Sequence, residues 1–420
     1  MANLIWLFEG SRLVKAVREA SRLTPQEFAE ALGQELGWTV PTGLLRAWEE
    51  GRPEPRLQVE RAVRRLSITA KSPPEVNRRE FLSRAALLGG LIVVDSAMPA
   101  SAGPDGESPP RTWDIEALTA PRISETGVSV FSDLVAAYRS VYGSTSADKL
   151  LPPVAGLVPI LLDLQESPSL SAARRRVTSL LGQAAVMAGV LSLMGRHELA
   201  QARHFYELAA TAAEESADAD LLAYARGSMS FHDVRAGRLR DGLQRLLAAE
   251  AEVARQVSPV TSAWFASLAS ELHARAGDSW MSRRSLERAE KSLEGSQHNM
   301  ESWRGVGTFD RSKVLAYRGG NLVLLGRARE AEGVLTQVLN QLPPTRVKHR
   351  CTALGDLAIA LAQQREPDQA AQKAMEALEL ATQLRHSESV IRVRRAYVRL
   401  HPWKTRPAVV ELGQRLADAI

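Results

Sequence analysis

The feature that most constrains this chain is a turn that recurs along its last 290 or so residues. Gly195 stands five positions before Ala200, Gly237 before Gly242, Gly277 before Ser282, Gly326 before Ala331, and Arg365 before Ala370. The steps are 42, 40, 49 and 39 residues. A small residue just past a tight turn lets two antiparallel helices approach closely. The flanking segments carry helical stripes. Ala331, Val334, Leu335, Val338, Leu339 and Leu342 fall at i, i+3, i+4, i+7, i+8 and i+11, and Pro343-Pro344 then stops the helix. Leu354, Leu357, Ala358, Leu361 and Ala362 mark the first helix of the next pair. Ala370, Ala374, Ala377, Leu378 and Ala381 mark its partner. Such a unit buries its apolar face only by stacking on its neighbours, so the pattern predicts a helix-pair solenoid over 128–420.

The rest of the chain divides in two. Residues 69–127 read as a linker, kept irregular by Pro73, Pro74, Pro99, Pro104, Pro109, Pro110 and Pro121. Residues 1–68 read as short helices. Leu13, Val14 and Val17 share one face of a helix over 11–21. Thr24-Pro25 is a helix start, with Glu27 at the capping-box position. Phe28, Ala29 and Leu32 follow as an apolar face, and Gly33 is expected to end that helix. In "TGLLRAWEEG", residues 42–51, Leu44, Leu45 and Trp48 lie on one side and Gly51 is a C-terminal cap. Val59, Ala62, Val63 and Leu66 form the face of a last basic helix. No strand pattern competes with these, so the expected class is all-α.

The repeat section resembles a tetratricopeptide-repeat array through its G-x-x-x-x-A turns and the small Ala377. Its period near 40 also suits other helical repeats of the HEAT type. The first section resembles the lambda-repressor/Cro-like helix-turn-helix family, also called the xenobiotic-response-element family. The matching words are "LTPQEFAEALG" and, after a longer turn, "TGLLRAWEEGRPEP". Together the two sections are similar to actinobacterial regulators that join such a module to a repeat sensor.

The resemblance implies a regulator bound to double-stranded DNA. Its second motif helix would lie in the major groove. Thr42, Gly43 and Ala47 fall where the family reads base edges, and Arg46 is the one long donor on that face. Arg52 and Arg56 suit phosphate contact. Operators of such modules are two-fold sites, which implies a homodimer. The repeats would take a peptide, a protein or a small effector. Residues 1–68 hold 10 Lys/Arg against 9 Asp/Glu, a weak basic footprint. A scaffold that binds a partner protein without specific DNA contact is therefore the competing reading.

Two further features stand out. "NRREFLSRAALLGGLIVVDSAMPASA", within the linker, resembles a twin-arginine export signal. Its internal position favours an amphipathic linker helix, with export from a later start as the alternative. The stretch 385–406 holds seven Lys/Arg against one Glu. It reads as a solvated helix face or as an acidic-peptide or DNA-backbone contact.

Catalytic chemistry finds no footing. There is no phosphate-cradling glycine loop, no nucleophile elbow and no H-E-x-x-H, so no enzyme activity, cofactor or metal is expected. Cys351 is the single cysteine, which excludes an intrachain disulfide and fits a cytoplasmic protein. His349 stands two residues away, on another side of a helix, so Cys351 is expected to be buried and inert. The net charge of +5 permits nucleic-acid contact without requiring it. No apolar run comes near the ~20 residues of a membrane span.

Overall fold

The structure, a computed structural model, describes residues 14–15, 18–19, 23–36, 39–50, 52, 59, 63, 125–167, 170–253, 256–294 and 303–419. It divides into two compact units, Met1–Leu82 and Ser83–Ile420. The twin-arginine-like segment, most of the Pro-rich linker, Gly51 and Arg56 lie outside the described residues.

The first unit contains α1 (Pro25–Leu36) and α2 (Thr42–Glu49), packed on each other. The capping box forms as its residues dictate. The Glu27 amide donates to Thr24 Oγ1 at 3.3 Å, and the Thr24 amide donates to Glu27 Oε2 at 2.8 Å. The Thr24 hydroxyl also donates to Glu27 Oε2, at 2.7 Å, and together with the Thr24 amide it holds the Glu27 carboxyl below its ordinary range. The helix does not stop at Gly33. That glycine is buried inside α1, which runs one turn further to Leu36. Phe28, Ala29, Leu32, Leu45 and Trp48 form one core with Val14, Val40, Val59 and Val63. Glu49 forms an ion pair with Arg18, and the hydrogen bond between them raises the Arg18 pKa.

The second unit is helical at every described element. It runs α3 (Glu125–Val141), α4 (Ala147–Glu166), α5 (Arg174–Val190, continued by a π-helical turn Leu191–Gly195) and α6 (Leu199–Ser216). Next come α7 (Ala219–Arg235), α8 (Leu239–Val253), α9 (Pro259–Arg275) and α10 (Ser279–Ser292). Then follow α11 (Arg311–Leu324), α12 (Ala328–Gln341), α13 (Val347–Gln363) and α14 (Pro367–Gln383). α15 (Ser387–Arg399) and α16 (Pro407–Asp418) end it. Five antiparallel pairs, α5/α6 to α13/α14, stack in order as a tetratricopeptide-like α-solenoid.

Each pair turns on one residue in the left-handed region: His197 (φ 59°), Gly237 (82°), Gly277 (79°), Gly326 (74°) and Arg365 (66°). Four of these are the turn residues read from the sequence. At the first turn Gly195 is replaced by His197, and the buried small residue is Ala202 rather than the exposed Ala200. Gly195 serves a different need: a Cβ there would collide with Ala147. The small positions pack as the repeat demands. Ala202, Ala331 and Ala370 are fully buried. At Gly242 an added Cβ would come within 2.7 Å of the Ser230 carbonyl oxygen on the facing helix.

The helix Arg174–Gly195 has 22 residues and is long and apolar enough, by length and composition, to cross a membrane. This differs from the sequence reading, which found no such run. The helix is 89% buried over its apolar window, between the helices on either side, which is the environment of a core helix.

Candidate functional site

The first helix of each pair faces inward, and the array closes on itself. The amide of Lys348, at the start of α13, donates to the Gly143 carbonyl after α3 at 3.0 Å. Arg385 pairs with Asp148 of α4 at 2.7 Å, across 237 residues of chain. Ser387 Oγ donates to the Met194 carbonyl at 3.1 Å. Glu388 of α15 pairs with Arg235 of α7. These contacts enclose a cavity of about 310 Å³ lined from α5, α7, α9, α11, α13 and α15.

One wall is aromatic. The ring centroids of Tyr224 and Trp264 are 4.5 Å apart, those of Tyr224 and Trp303 are 5.2 Å apart and edge-on, and Phe309 lies 5.6 Å from Trp303. Trp303 comes from the connection between α10 and α11, which makes the third step of the repeat the longest. That connection is tied inward. Arg139 donates to the carbonyls of Gly305, at 3.1 Å, and Trp303. Arg304 pairs with Asp218 at 2.8 Å. Burial, with Arg304 nearby, lowers the Arg139 pKa to about 10.

A second wall holds balanced charge. Arg392 bonds Asp356 at 3.0 Å and also pairs with Glu388, one turn before it. Arg275 bonds Glu271 at 2.6 Å. Burial pushes the Glu388 carboxyl up, but Arg392 and Arg235 outweigh it and hold the group below its ordinary range. At Asp356 burial wins, and that pKa rises despite Arg392. Arg392 is held above its ordinary value by these carboxylates.

The third wall is cationic and unbalanced. Lys348 is 3% exposed. Its Nζ lies 3.9 Å from the centroid of the Tyr142 ring, and no carboxylate among the described residues pairs with it. Burial brings its pKa down to about 7. Lys313, on α11, is also brought to about 7 by burial. The nearest acid, Asp310, is engaged by Arg346 at 2.6 Å. Burial and the neighbouring cations push His349 well below its ordinary value, and its Nδ1 has no hydrogen-bond partner among the described residues. His386 falls to about 3 for the same reasons, with its Nδ1 on Ser389 Oγ at 2.8 Å.

None of the residues read as DNA-contacting lies here; they belong to the first unit. Thr42, Gly43 and Arg46 are exposed on α2, opposite the buried Leu45 and Trp48, while Ala47 is half-buried. Arg52 is exposed and pairs with Glu50 at 3.1 Å. Its amide donates to the Ala47 carbonyl at 2.8 Å and closes the end of α2. The basic stretch 385–406 is largely internal in its bonding. Arg385, Arg392 and Arg406 are ion-paired, and Arg392, Arg395 and Arg399 line the cavity. Cys351 is buried and donates to the Ala377 carbonyl at 3.1 Å, and burial raises its pKa to about 11. A thiol held protonated in this way is inert as a nucleophile.

The cavity residues escaped the sequence reading because their helical spacing is that of ordinary amphipathic positions. One signal was present. Aromatics are only 5% of the chain, yet Tyr206, Tyr224, Trp264, Trp303, Phe309 and Tyr317 all line the cavity.

No protein-family model matches the chain, and no curated protein matches it. Among solved structures it is similar to a signal-transduction ATPase with numerous domains, bearing a tetratricopeptide repeat sensor, from Pyrococcus horikoshii. The identity is 12% and the TM-score 0.42, over 97% of this chain and 59% of that one. It is also similar to yeast Tom70, with 12% identity and a TM-score of 0.33, over 96% and 88% of the two chains. The chain thus spans about three fifths of the length of the first of these.

Proposed function

We propose that the solenoid is a binding module that takes a ligand, a peptide end or a small effector, into the cavity on its inner face. The observation that carries this reading is the cavity itself. It has the size of a small-molecule site, an apolar aromatic lining and a few convergent polar groups. Buried charges stripped of partners are costly, and folds that keep them commonly use them. The test is equilibrium dialysis of the full-length protein against a host-cell extract of small molecules and peptides, read by mass spectrometry. Ala316 lines the cavity, and Ala316→Phe fills it. The parent protein should concentrate a ligand that this variant leaves behind. Equal retention by both proteins, or none by either, would overturn the reading.

We further propose that the first unit contacts double-stranded DNA as a helix-turn-helix, the chain acting as a dimeric transcription regulator. The specific support is α2, anchored by Leu45 and Trp48 with Thr42, Gly43 and Arg46 exposed on its outer side. The Arg52–Glu50 pair is fully at the surface, so its exchange for a phosphate costs little. Arg46→Ala should weaken specific binding to the protein's own promoter fragment by ~1–3 kcal/mol. Light scattering should report a dimer on that fragment. Affinity unaltered by Arg46→Ala, or absence of salt-dependent binding, leaves the interaction scaffold as the whole function.

A further inference from the structure

We infer that the cationic wall of the cavity is an anion site, and that the ligand it takes is a small aromatic acid whose ring lies against Tyr224, Trp264 and Trp303. The inference rests on the binding-module reading and specifies the chemistry of the same site.

Charge balance in the cavity decides the ligand's sign. A ligand with an aromatic body could be a cation or an anion. The acidic side chains decide against the cation. Glu271, Asp356 and Glu388 are each engaged by an arginine, so no free carboxylate faces the cavity from that wall. The basic side chains are not balanced in the same way. Lys348 is buried with its Nζ over the Tyr142 ring and no carboxylate paired with it among the described residues. Lys313 faces the same space, beside an aspartate already engaged by Arg346. The Nδ1 of His349 is buried with no partner among the described residues. Lys313 and Lys348, with His349 beside Lys348 on α13, all line the one cavity of about 310 Å³. A carboxylate or phosphate held there would answer the two unbalanced ammonium groups, and charge-assisted bonds of this kind are the strong ones. The aromatic wall supplies flat faces on which a ring can stack at small entropic cost.

Two sources share this chemistry: a free small acid, and the terminal carboxylate of a peptide ending in an aromatic residue. The probes separate them. Indole-3-acetate, indole-3-acetamide and tryptamine share one ring and differ in charge, as do 4-hydroxyphenylacetate, its amide and tyramine. A tetrapeptide ending in tryptophan, with a free or an amidated C-terminus, forms the second arm. All are titrated calorimetrically into the full-length protein at pH 6.5.

The acids should bind at least tenfold more tightly than their amides, and the amines more weakly still. Lys348→Met and Lys313→Met should each lower acid affinity tenfold or more while leaving amide affinity in place. Tightest binding by the free-carboxylate peptide would support the anion site and assign it to a peptide end. Amides binding as well as acids, or amines binding best, would overturn the anion assignment while leaving a ligand cavity. No binding by any probe would overturn the inference. If the dialysis arm also failed, the binding-module reading would fall with it. Lys348→Met removes a buried charge and Lys313→Met a half-buried one, so loss of folding is not the expected cause of lost binding. A thermal scan of each variant checks this directly.

Discussion

Lys348 should be a liability to the empty protein, and its removal should stabilise the fold. The pKa shift from 10.5 to about 7, at 1.36 kcal/mol for each pKa unit, corresponds to a ceiling of about 5 kcal/mol for burying the ammonium. The Tyr142 face, 3.9 Å from Nζ, offsets part of that cost, since a desolvated cation–π contact contributes about 2 kcal/mol. The thioether of Lys348→Met keeps a smaller contact with the same ring. The variant should therefore gain on the order of 2 kcal/mol at pH 7, in the range seen when buried charges give way to apolar groups.

The pH dependence carries the sign. The folded pKa of Lys348 lies below the unfolded one, so between about 7 and 10.5 the unfolded chain holds the proton and the folded chain does not. Stability of the parent protein should rise with pH across that window, with Lys313 acting in the same sense. The advantage of Lys348→Met should shrink accordingly and be lost before pH 10. Scanning calorimetry of both proteins at pH 7, 8.5 and 10 measures this. A variant less stable than its parent at pH 7, or a gain that does not change with pH, would refute the claim of an unpaired buried ammonium.

Other consequences concern backbone and cap. Arg365 is exposed and holds φ at 66°, a conformation that costs side-chain-bearing residues free energy and glycine little. Arg365→Gly should raise stability by about 0.5–1 kcal/mol, and an unchanged or lower unfolding midpoint would contradict the strain. Thr24→Ala removes the hydroxyl that caps α1 and should weaken the first unit by about 1 kcal/mol. Faster amide exchange in α1, with the solenoid unaffected, is the expected signature.

Much of the fold was legible because helices and their turns are set by contacts within a few residues. The stripe in α12, the alanines of α14 and the capping box at Thr24 all stand where their spacing puts them. Where the structure departs from the local pattern, a neighbour not visible in the sequence intervenes. Gly33 passes through α1 because the helix gains a further turn, ending at Leu36, which packs against the core of the first unit. The turn at 195 moved to His197 because a π-helical turn adds length before it and Ala147 claims the space at Gly195.

The amino-acid order alone determined an all-helical chain, its repeat register and the small residues at which paired helices touch. These depend on bonds four residues apart and on side chains one turn apart. Tertiary structure alone decided that the array would close, because closure sums small rotations over successive pairs and joins Asp148 to Arg385. The cavity and its unmatched charge follow from that closure. In the sequence Lys313 and Lys348 stand among other charged residues on amphipathic helices, and only the fold buries Lys348 and brings Lys313 to the same cavity.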